Sequence, residues 1–289
     1  MRTLKPFDYF EPSTVKEAVA LLSKKSKAQI LSGGVDLIPR MRNGKIKANT
    51  LINIQKIAGL SALSLERNKG LKFGARTSLH ALELSKDVQA LYPILYEAIH
   101  QIASIQVKNM GTAVGNLCVG TPASDVATAI MALGGELTIA GPDKKRKEPI
   151  EKFYKDYLKT SLKKGEMVTE VFLPNPASGS GTGFLNLVRT KGDSAKVSVA
   201  VSISLNKGVC QEAKIALGAV APTIFRAKKA EAILQGQEIN ADRISRAAEA
   251  ASQETRTITD VRSTSEYRKE MTGVLVRRAI EQALERAKA

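Results

Sequence analysis

The sequence predicts an α+β protein built from two unlike parts. In the first part, residues 1–174, apolar runs with helical spacing alternate with short β-rich runs. In the second part, residues 184–289, two strands of alternating polarity flank the turn "NKG" as an antiparallel hairpin, and helical patterns come after it. The stretch between them, "NPASGSGTG" at 175–183, concentrates Pro, Ser and Gly, which predicts a linker.

The first part opens with one helix and three short strands. The helix "STVKEAVALLSKK" is expected to begin at Ser13 or Thr14, because Glu17 stands at the spacing of a capping box. The strands are "AQIL", which runs into Gly33 and Gly34, then "TLINI" and "GLKFGA".

Helices dominate the middle of the first part. The run "SLHALELSKDVQALYPILYEAIHQIAS" predicts one or two helices with a break near Pro93. The run "ASDVATAIMALG" predicts another, ended by Gly134 and Gly135 before the strand "GELTIAG". The basic block "PDKKRKEP" at 142–149 is expected at the tip of a charged hairpin, and the strand "GEMVTEVFLP" ends the part.

Two or three helices are expected to end the chain: "RAKKAEAILQG", "NADRISRAAEAASQE" with Asn240 as N-cap, and "STSEYRKEMTGVLVRRAIEQALERAKA". Ser263 and Glu266 stand at capping-box spacing and predict the start of the last helix. An apolar stripe on that helix is expected to face the core, and its members are Met271, Val274, Leu275, Ile280 and Leu284.

Composition restricts the class of protein. With 43% hydrophobic residues in 289, the chain can form ordinary buried cores. No apolar leader follows the opening residues, and no run reaches the ~18 apolar residues of a membrane span, so we expect a cytoplasmic protein. The only cysteines are Cys118 and Cys210, and the only histidines are His80 and His100, so we expect neither a disulfide framework nor a metal site. A catalytic Cys/His pair is formally open, but buried cysteines and surface histidines explain these residues as well.

The net charge of the chain indicates which kinds of partner it could bind. The 44 Lys and Arg residues exceed the 28 Asp and Glu, for a net charge of +16, which brings nucleic acid into consideration. The basic residues are spread along the chain, aromatic residues make up 4%, and tryptophan is absent, which leaves little material for base stacking. Without a nucleic-acid-binding motif, we expect no nucleic-acid partner. A basic face that binds an acidic partner subunit explains the charge at least as well.

Two glycine turns are the candidate binding features. In "ILSGGVDLIP", glycines follow a strand and leave backbone N–H groups accessible to an anion, although paired glycines after strands are commonly plain turns. In "VKNMGTAVGNLCVGTPASD", hydroxyl and amide side chains accompany the glycines, and a helix begins near Ser124 and Asp125. Asp125 has two explanations, a carboxylate favoured at a helix start or an acceptor for ligand hydroxyls. Neither turn fits the dinucleotide or P-loop motif, and "GSGTG" is followed by the strand-like "FLNLV" rather than a helix.

Along the whole chain these features resemble one family. The matching segments, in order, are "FDYFEPSTVKEAVALL", "ILSGGVDLIPRMRNG", "GLKFGARTSLHALE", "QIASIQVKNMGTAVGNLCVGTPASDVATAIMAL", "YLKTSLKKGEMVTEVFLP" and "RTKGDSAKVSVAVSISL". Six ordered matches are more specific than either glycine turn. The chain resembles the FAD-binding medium subunit of molybdenum hydroxylases, the flavoprotein of the xanthine dehydrogenase, carbon monoxide dehydrogenase and nicotinate dehydrogenase group.

The resemblance implies a vanillyl-alcohol-oxidase-type (PCMH-type) FAD-binding fold over 1–174, with subdomains of about 1–55 and 56–174. A carbon monoxide dehydrogenase flavoprotein-like C-terminal domain would cover the flavin. The resemblance assigns the two glycine loops to the FAD pyrophosphate, Ser124 and Asp125 to the polar chain of the cofactor, and Met167 and Val168 to the ring system. It assigns no catalytic acid or base. The implied cofactor-binding residues are Leu31, Ser32, Gly33, Gly34, Val35, Asp36, Leu37, Val107, Gly111, Thr112, Ala113, Val114, Gly115, Asn116, Ser124, Asp125, Met167, Val168 and Asn186.

The resemblance also implies partners. A molybdopterin-binding large subunit would oxidise the organic substrate, a small subunit would carry two 2Fe–2S clusters, and FAD on this chain would pass electrons to NAD or another acceptor. The implied assembly is a dimer of heterotrimers. Two separated cysteines cannot hold a cluster, so the clusters must lie on a partner. The alternatives are a stand-alone flavin oxidase of the same fold, disfavoured because no substrate-binding domain remains, and a basic nucleic-acid-binding or scaffold module.

Three residues depart from the usual pattern of that family. Asp36 stands where the first loop usually has a hydroxyl, and its carboxylate would repel a phosphate unless turned away or paired, for instance with Arg40. Val114 stands where many relatives have glycine, and Asn186 stands where a basic residue is common.

Overall fold

The protein is described by a computed structural model over residues 3–66 and 68–288. The strands are β1 (Asp8–Phe10), β2 (Ala28–Leu31), β3 (Thr50–Asn53), β4 (Leu63–Glu66), β5 (Gly70–Gly74), β6 (Glu136–Ala140), β7 (Lys145–Pro149), β8 (Tyr154–Asp156), β9 (Lys159–Thr160), β10 (Met167–Pro174), β11 (Ser180–Leu187), β12 (Val197–Asn206), β13 (Val209–Gly218) and β14 (Phe225–Arg226). The helices are α1 (Val15–Lys24), α2 (Leu37–Arg42), α3 (Leu79–Leu84), α4 (Lys86–Leu91), α5 (Pro93–His100), α6 (Ile105–Met110), α7 (Ala113–Cys118), α8 (Asp125–Ala132), α9 (Ile150–Phe153), α10 (Lys228–Leu234), α11 (Ala241–Gln253) and α12 (Ser265–Lys288).

The N-terminal sheet is parallel, with its strands in the order β1-β3-β2. Helix α1 buries Ala18 and Val19. The predicted capping box is confirmed, and Thr14 is the N-cap. The Thr14 hydroxyl accepts the Glu17 N–H at 3.2 Å, while the Glu17 carboxylate accepts the Ser13 N–H at 2.9 Å.

The second sheet is antiparallel, with the strand order β4-β5-β10-β6-β7. The predicted one or two helices are in fact three, α3, α4 and α5, because the chain breaks twice. Ser85 ends α3 and accepts the Val88 N–H at 3.4 Å as N-cap of α4, while Pro93 begins α5. The break near Pro93 is thus confirmed, and the break at Ser85 was missed.

The basic block at 142–149 lies on an edge strand as well as in a turn. The predicted hairpin is confirmed by the antiparallel pairing of β6 with β7, but placing the whole block at its tip is wrong, since Lys145–Pro149 form β7. Side chains alternate along a strand, so Lys147 stays exposed while Arg146 turns inward. The Arg146 guanidinium donates to both carboxylate oxygens of Glu166, at 2.9 and 2.8 Å.

The C-terminal sheet is antiparallel, in the order β11-β12-β13-β14. The predicted hairpin is confirmed, and its turn carries positive φ at Lys207 (50°) and Gly208 (82°), as a tight hairpin turn requires. Helices α10, α11 and α12 pack with this sheet around a second hydrophobic core. Helix α8 of the first part also contacts β12 and β13.

The predicted linker at 175–183 is partly strand, because β11 begins at Ser180. Its glycines serve packing. A Cβ atom placed on Gly181 would lie 2.0 Å from the Ala283 carbonyl oxygen, and one on Gly183 would lie 2.3 Å from the Ala279 carbonyl oxygen. Glycine at these positions therefore lets β11 touch the backbone of α12.

The start of the last helix lies one residue later than predicted. The Thr264 hydroxyl, rather than that of Ser263, accepts the Tyr267 N–H at 3.3 Å. Ser263 instead exchanges backbone hydrogen bonds with Asp260 in a preceding turn.

The predicted apolar stripe on α12 reaches the core only in part. Leu275 and Ile280 are buried, and Met271 and Leu284 pack at the edge of the core, whereas Val274 lines a surface groove between α11 and α12. Within the described range 265–287, small buried residues at 279 and 283 complete the contact face.

Ion pairs join the C-terminal helices and strands to the first part, two of them through arginine. The Arg286 guanidinium lies 2.5 Å from the Glu97 carboxylate, and that of Arg226 lies 2.5 Å from the Glu151 carboxylate. Among the described residues, no helix is both long enough and apolar enough to cross a membrane.

Candidate cofactor-binding site

The two glycine loops lie against each other. The first loop, residues 32–36, connects β2 to α2, and the second, residues 111–116, runs from the end of α6 into α7. A Cβ atom placed on Gly33 would lie 1.9 Å from the Met110 carbonyl oxygen and 3.0 Å from the Gly111 Cα. Gly34 has a φ of 70°, a left-handed conformation that glycine adopts without strain. Glycine is therefore required in the first loop both for close approach and for the turn.

The second loop is fixed by hydrogen bonds to the start of α3. The Leu79 N–H donates to the Gly111 carbonyl oxygen at 2.9 Å, and the Ala113 N–H donates to the Thr77 carbonyl oxygen at 3.3 Å. Thr112 is the N-cap of α7, and its hydroxyl accepts the Gly115 N–H at 3.0 Å.

The first loop offers backbone donors that its own fold does not use. Within the described part of the chain, the N–H groups of Gly34 and Val35 have no hydrogen-bond acceptor. Asp36 would repel an anion here, but the Arg40 guanidinium lies 3.2 Å from its carboxylate. The pairing anticipated between these two residues is thus present, and the loop can accept a negatively charged ligand.

A buried polar cluster lies beyond the second loop. The Ser124 hydroxyl donates to the Asn116 side-chain oxygen and caps α8 by accepting the Ala127 N–H at 3.1 Å. Asp125, 7% exposed, accepts a hydrogen bond at 2.8 Å from the side-chain amide of Asn186. Since Asn186 lies on β11, the C-terminal domain contributes directly to this cluster.

The Asp125 carboxyl group is the least satisfied group of the site. Its Oδ1 atom is buried and has no hydrogen-bond partner among the described residues. Burial raises the pKa of Asp125 to about 6, and the interactions with the side chains of Asn186 and Ser198 offset this only in part. An orphaned buried acceptor of this kind suits a ligand hydroxyl, so the residues present fit the polar chain of a flavin nucleotide.

Other predicted residues lie in the core. The side chains of Ala113, Val114, Met167 and Val168 belong to the hydrophobic core of the first part. Val114, at a position where many relatives have glycine, is 3% exposed, and its side chain packs in this core. The cofactor contacts assigned to these residues, and to the partly buried Leu31, Leu37 and Val107, stay predictions.

Two buried charged residues near the second loop are not predicted by the sequence. Glu83 on α3 and Lys108 on α6, the helix that leads into the second loop, are buried and form an ion pair at 2.5 Å. Both residues lie in segments that carry the family resemblance, but the resemblance assigns neither of them a role, and the segment between them offers no local signal for their approach. Three-dimensional contact alone reveals them.

Two protein-family models match the chain. The family model described as "FAD binding domain in molybdopterin dehydrogenase" matches residues 5–176. The model described as "CO dehydrogenase flavoprotein C-terminal domain" matches residues 183–283. The chain is therefore a flavoprotein with an FAD-binding domain followed by a C-terminal domain of sheet and helices, and the predicted fold class is confirmed.

Individual relatives cover nearly the whole chain. The carbon monoxide dehydrogenase medium chain of Afipia carboxidovorans is 34% identical over 283 residues, which span 98% of each chain. The xanthine dehydrogenase FAD-binding subunit of Escherichia coli is 26% identical over 278 residues, 96% of this chain and 95% of that one. The structure of carbon monoxide dehydrogenase from Hydrogenophaga pseudoflava lacking the Mo-pyranopterin moiety superposes with a TM-score of 0.95 at 34% identity, over 98% of this chain and 99% of that one. The protein belongs to the family of FAD-binding medium subunits of molybdenum hydroxylases.

Proposed function

We propose that this chain holds FAD between its two glycine loops and the Asp125 cluster, and relays electrons from iron–sulfur clusters of a partner subunit to a terminal acceptor such as NAD. The observation that carries the proposal is the convergence of three elements. Gly33 of the loop at 32–36 lies against Gly111 of the loop at 111–116 and against the preceding Met110 carbonyl. A carboxyl oxygen without a partner among the described residues lies at the start of α8, whose N-cap Ser124 is hydrogen-bonded to Asn116 of the second loop.

The residues of this chain would bind and orient the cofactor. The free N–H groups of Gly34 and Val35 would donate to pyrophosphate oxygens, with Asp36 held aside by Arg40. Asp125 Oδ1 would accept a hydroxyl of the cofactor, and Asn186 fixes the orientation of its carboxyl group. FAD, when bound, supplies the redox chemistry, which no side chain of the site provides.

Relatives support the assembly. Carbon monoxide dehydrogenase and the other relatives carry this type of chain as a medium chain or FAD-binding subunit, which implies partner subunits. We propose a large molybdopterin-binding subunit and a small subunit with 2Fe–2S clusters, assembled as a dimer of heterotrimers. The cytoplasmic location and the absence of a nucleic-acid partner stay predictions.

Purification of the full chain with its partners tests this function. The complex should be yellow, release FAD on denaturation, and contain molybdopterin and iron–sulfur clusters on two further chains. After reduction by limiting dithionite, the rate of reoxidation by NAD, oxygen and a quinone would identify the acceptor.

Two outcomes would favour the alternatives. A flavin-containing single chain that oxidises an organic substrate without partners would indicate a stand-alone oxidase. A colourless chain whose DNA affinity falls steeply with salt would indicate a basic nucleic-acid-binding module.

A further inference from the structure

The helix that leads into the second glycine loop has an unusual attachment. Helix α6 ends at Met110, whose carbonyl oxygen packs against Gly33. All six residues of α6 are described, and Lys108 is the only buried one, while Ile105 and Met110 are 45% and 64% exposed. A short helix normally attaches through apolar side chains. Here the buried anchor is a lysine.

The partner of that lysine lies on α3. The Lys108 ammonium group lies 2.5 Å from the Glu83 carboxylate, and the two residues are 6% and 8% exposed. Helix α3 also begins at Leu79, whose N–H donates to the Gly111 carbonyl oxygen at 2.9 Å. The ion pair and this hydrogen bond therefore join α6 and the loop to the same helix.

Two histidines complete the surroundings of the carboxylate. His100 Nδ1 lies 2.9 Å from Glu83, and His80 Nδ1 lies 3.5 Å away, too far for a good hydrogen bond. Burial alone would raise the pKa of Glu83, but the hydrogen bonds from Lys108 and His100 outweigh it and lower the pKa. Glu83 is therefore a carboxylate at neutral pH and holds Lys108.

We propose that Lys108, held by Glu83, is the positioning residue that fixes the second glycine loop for FAD. The proposal rests on FAD binding by this chain. A purely structural pair would neutralise buried charge without setting the loop. The two roles predict different rates of FAD release when both charges are removed together. Because no unpaired charge is then buried, a purely structural pair predicts the wild-type rate, and a positioning role predicts faster release.

Two variants of the full chain separate these roles. In Glu83→Gln, the side-chain oxygen still accepts from Lys108, so stability falls because the buried lysine loses its counter-charge, but FAD release stays near the wild-type rate. In Glu83→Gln/Lys108→Met, no charge is unpaired and apolar packing restores stability. The directional hydrogen bond from α6 to α3 is lost, however, and FAD is released roughly tenfold faster. Release is followed by the rise in flavin fluorescence on dilution, and stability by urea unfolding of the FAD-free chain.

A partly buried ion pair in the C-terminal domain is the matched control. The Arg268 guanidinium lies 2.6 Å from the Asp260 carboxylate within that domain, and Asp260→Asn/Arg268→Met should leave FAD release unchanged. The proposal is overturned if the rate of FAD release rises only where stability falls. FAD release would then be fast in Glu83→Gln and at the wild-type rate in the double variant. If the double variant does not fold, Glu83→Leu/Lys108→Leu, a second apolar replacement of both charges, takes its place. Fast release at wild-type stability supports the proposal, and a wild-type release rate refutes it.

The wild type separates this proposal from FAD binding itself. A wild-type chain that neither contains nor takes up FAD would refute the flavin assignment. A wild-type chain that binds FAD, with a double variant that releases it at the same rate, would refute only the role of Lys108.

Discussion

Two glycine-rich stretches of this chain look alike in sequence and act differently in the structure. In "SGG" at 32–34, one glycine contacts the neighbouring loop and the next adopts a left-handed turn, which leaves backbone donors free. In "GSGTG" at 179–183, Gly181 and Gly183 lie on a strand and let a helix backbone approach it. A backbone carbonyl stands opposite Gly33 and opposite Gly183 alike, so neither glycine spacing nor close approach distinguishes the two stretches. The unused backbone donors of the first loop mark it as the candidate ligand loop.

The largest expected effect tests the packing glycines. Gly183→Ala would bring a methyl group 2.3 Å from the Ala279 carbonyl oxygen. We expect the free energy of unfolding to fall by about 3 kcal/mol, since backbone on both sides cannot yield easily. Urea unfolding measures this. Gly273→Ala, on α12 with nothing closer than 3.6 Å, is the control and should be neutral or stabilising.

Substitution of Gly33 in the first loop should lower the affinity for FAD more than it lowers the stability of the chain. Gly33→Ala would force the first loop away from Met110, and we expect the affinity for FAD to fall about a hundredfold. Stability of the FAD-free chain should fall less than in Gly183→Ala, because loops shift more readily than a packed helix. Titration with FAD followed by fluorescence quenching checks this. Wild-type affinity in this variant would contradict the contact between the loops as a requirement for binding.

A third prediction concerns the buried carboxyl group. Because the pKa of Asp125 is raised to about 6 in the folded chain, folding favours its protonated form. Its contribution to the stability of the FAD-free chain is therefore fully present below about pH 4 and is lost as pH rises through about 6. Asp125→Asn should raise the free energy of unfolding by about 2 kcal/mol at pH 7.5 and leave it unchanged at pH 4. Equal stability of variant and wild type at both pH values would show that burial does not raise the pKa of this carboxyl group.

The smallest effect is expected at the edge of the first loop. Arg40→Gln would release the Asp36 carboxylate, and we expect the affinity for FAD to fall about threefold, as for a partly exposed ion pair. Isothermal titration in low salt measures the change. Arg42→Gln, an exposed change on the same helix, is the control. An equal loss in both variants would indicate a general charge effect rather than the pairing with Asp36.

Local signals made much of the fold predictable. The capping box at Glu17, the hairpin at "NKG" and the break at Pro93 each depend on neighbours in sequence, and each is confirmed. The break at Ser85 was missed because a serine inside an apolar helical pattern does not oblige the helix to end.

The candidate site was predictable only through the resemblance, because single glycine turns are ambiguous. The Glu83–Lys108 ion pair could not be predicted from the sequence, because its members are 25 residues apart and no periodicity brings them together. The packing role of "GSGTG" was missed for a related reason: the helix opposite it begins at Ser265, far along the chain.

The hydrogen bond between Asn186 and Asp125 crosses the boundary between the two family modules. Recombination at that boundary, with residues 1–176 from one relative and the remainder from another, would separate this amide from this carboxyl group. Where the donor of the second module carries a basic side chain in place of the amide, the chimera would acquire a charged contact in a buried setting. Modules from different relatives are therefore exchangeable only when residues 125 and 186 are transferred as a matched pair.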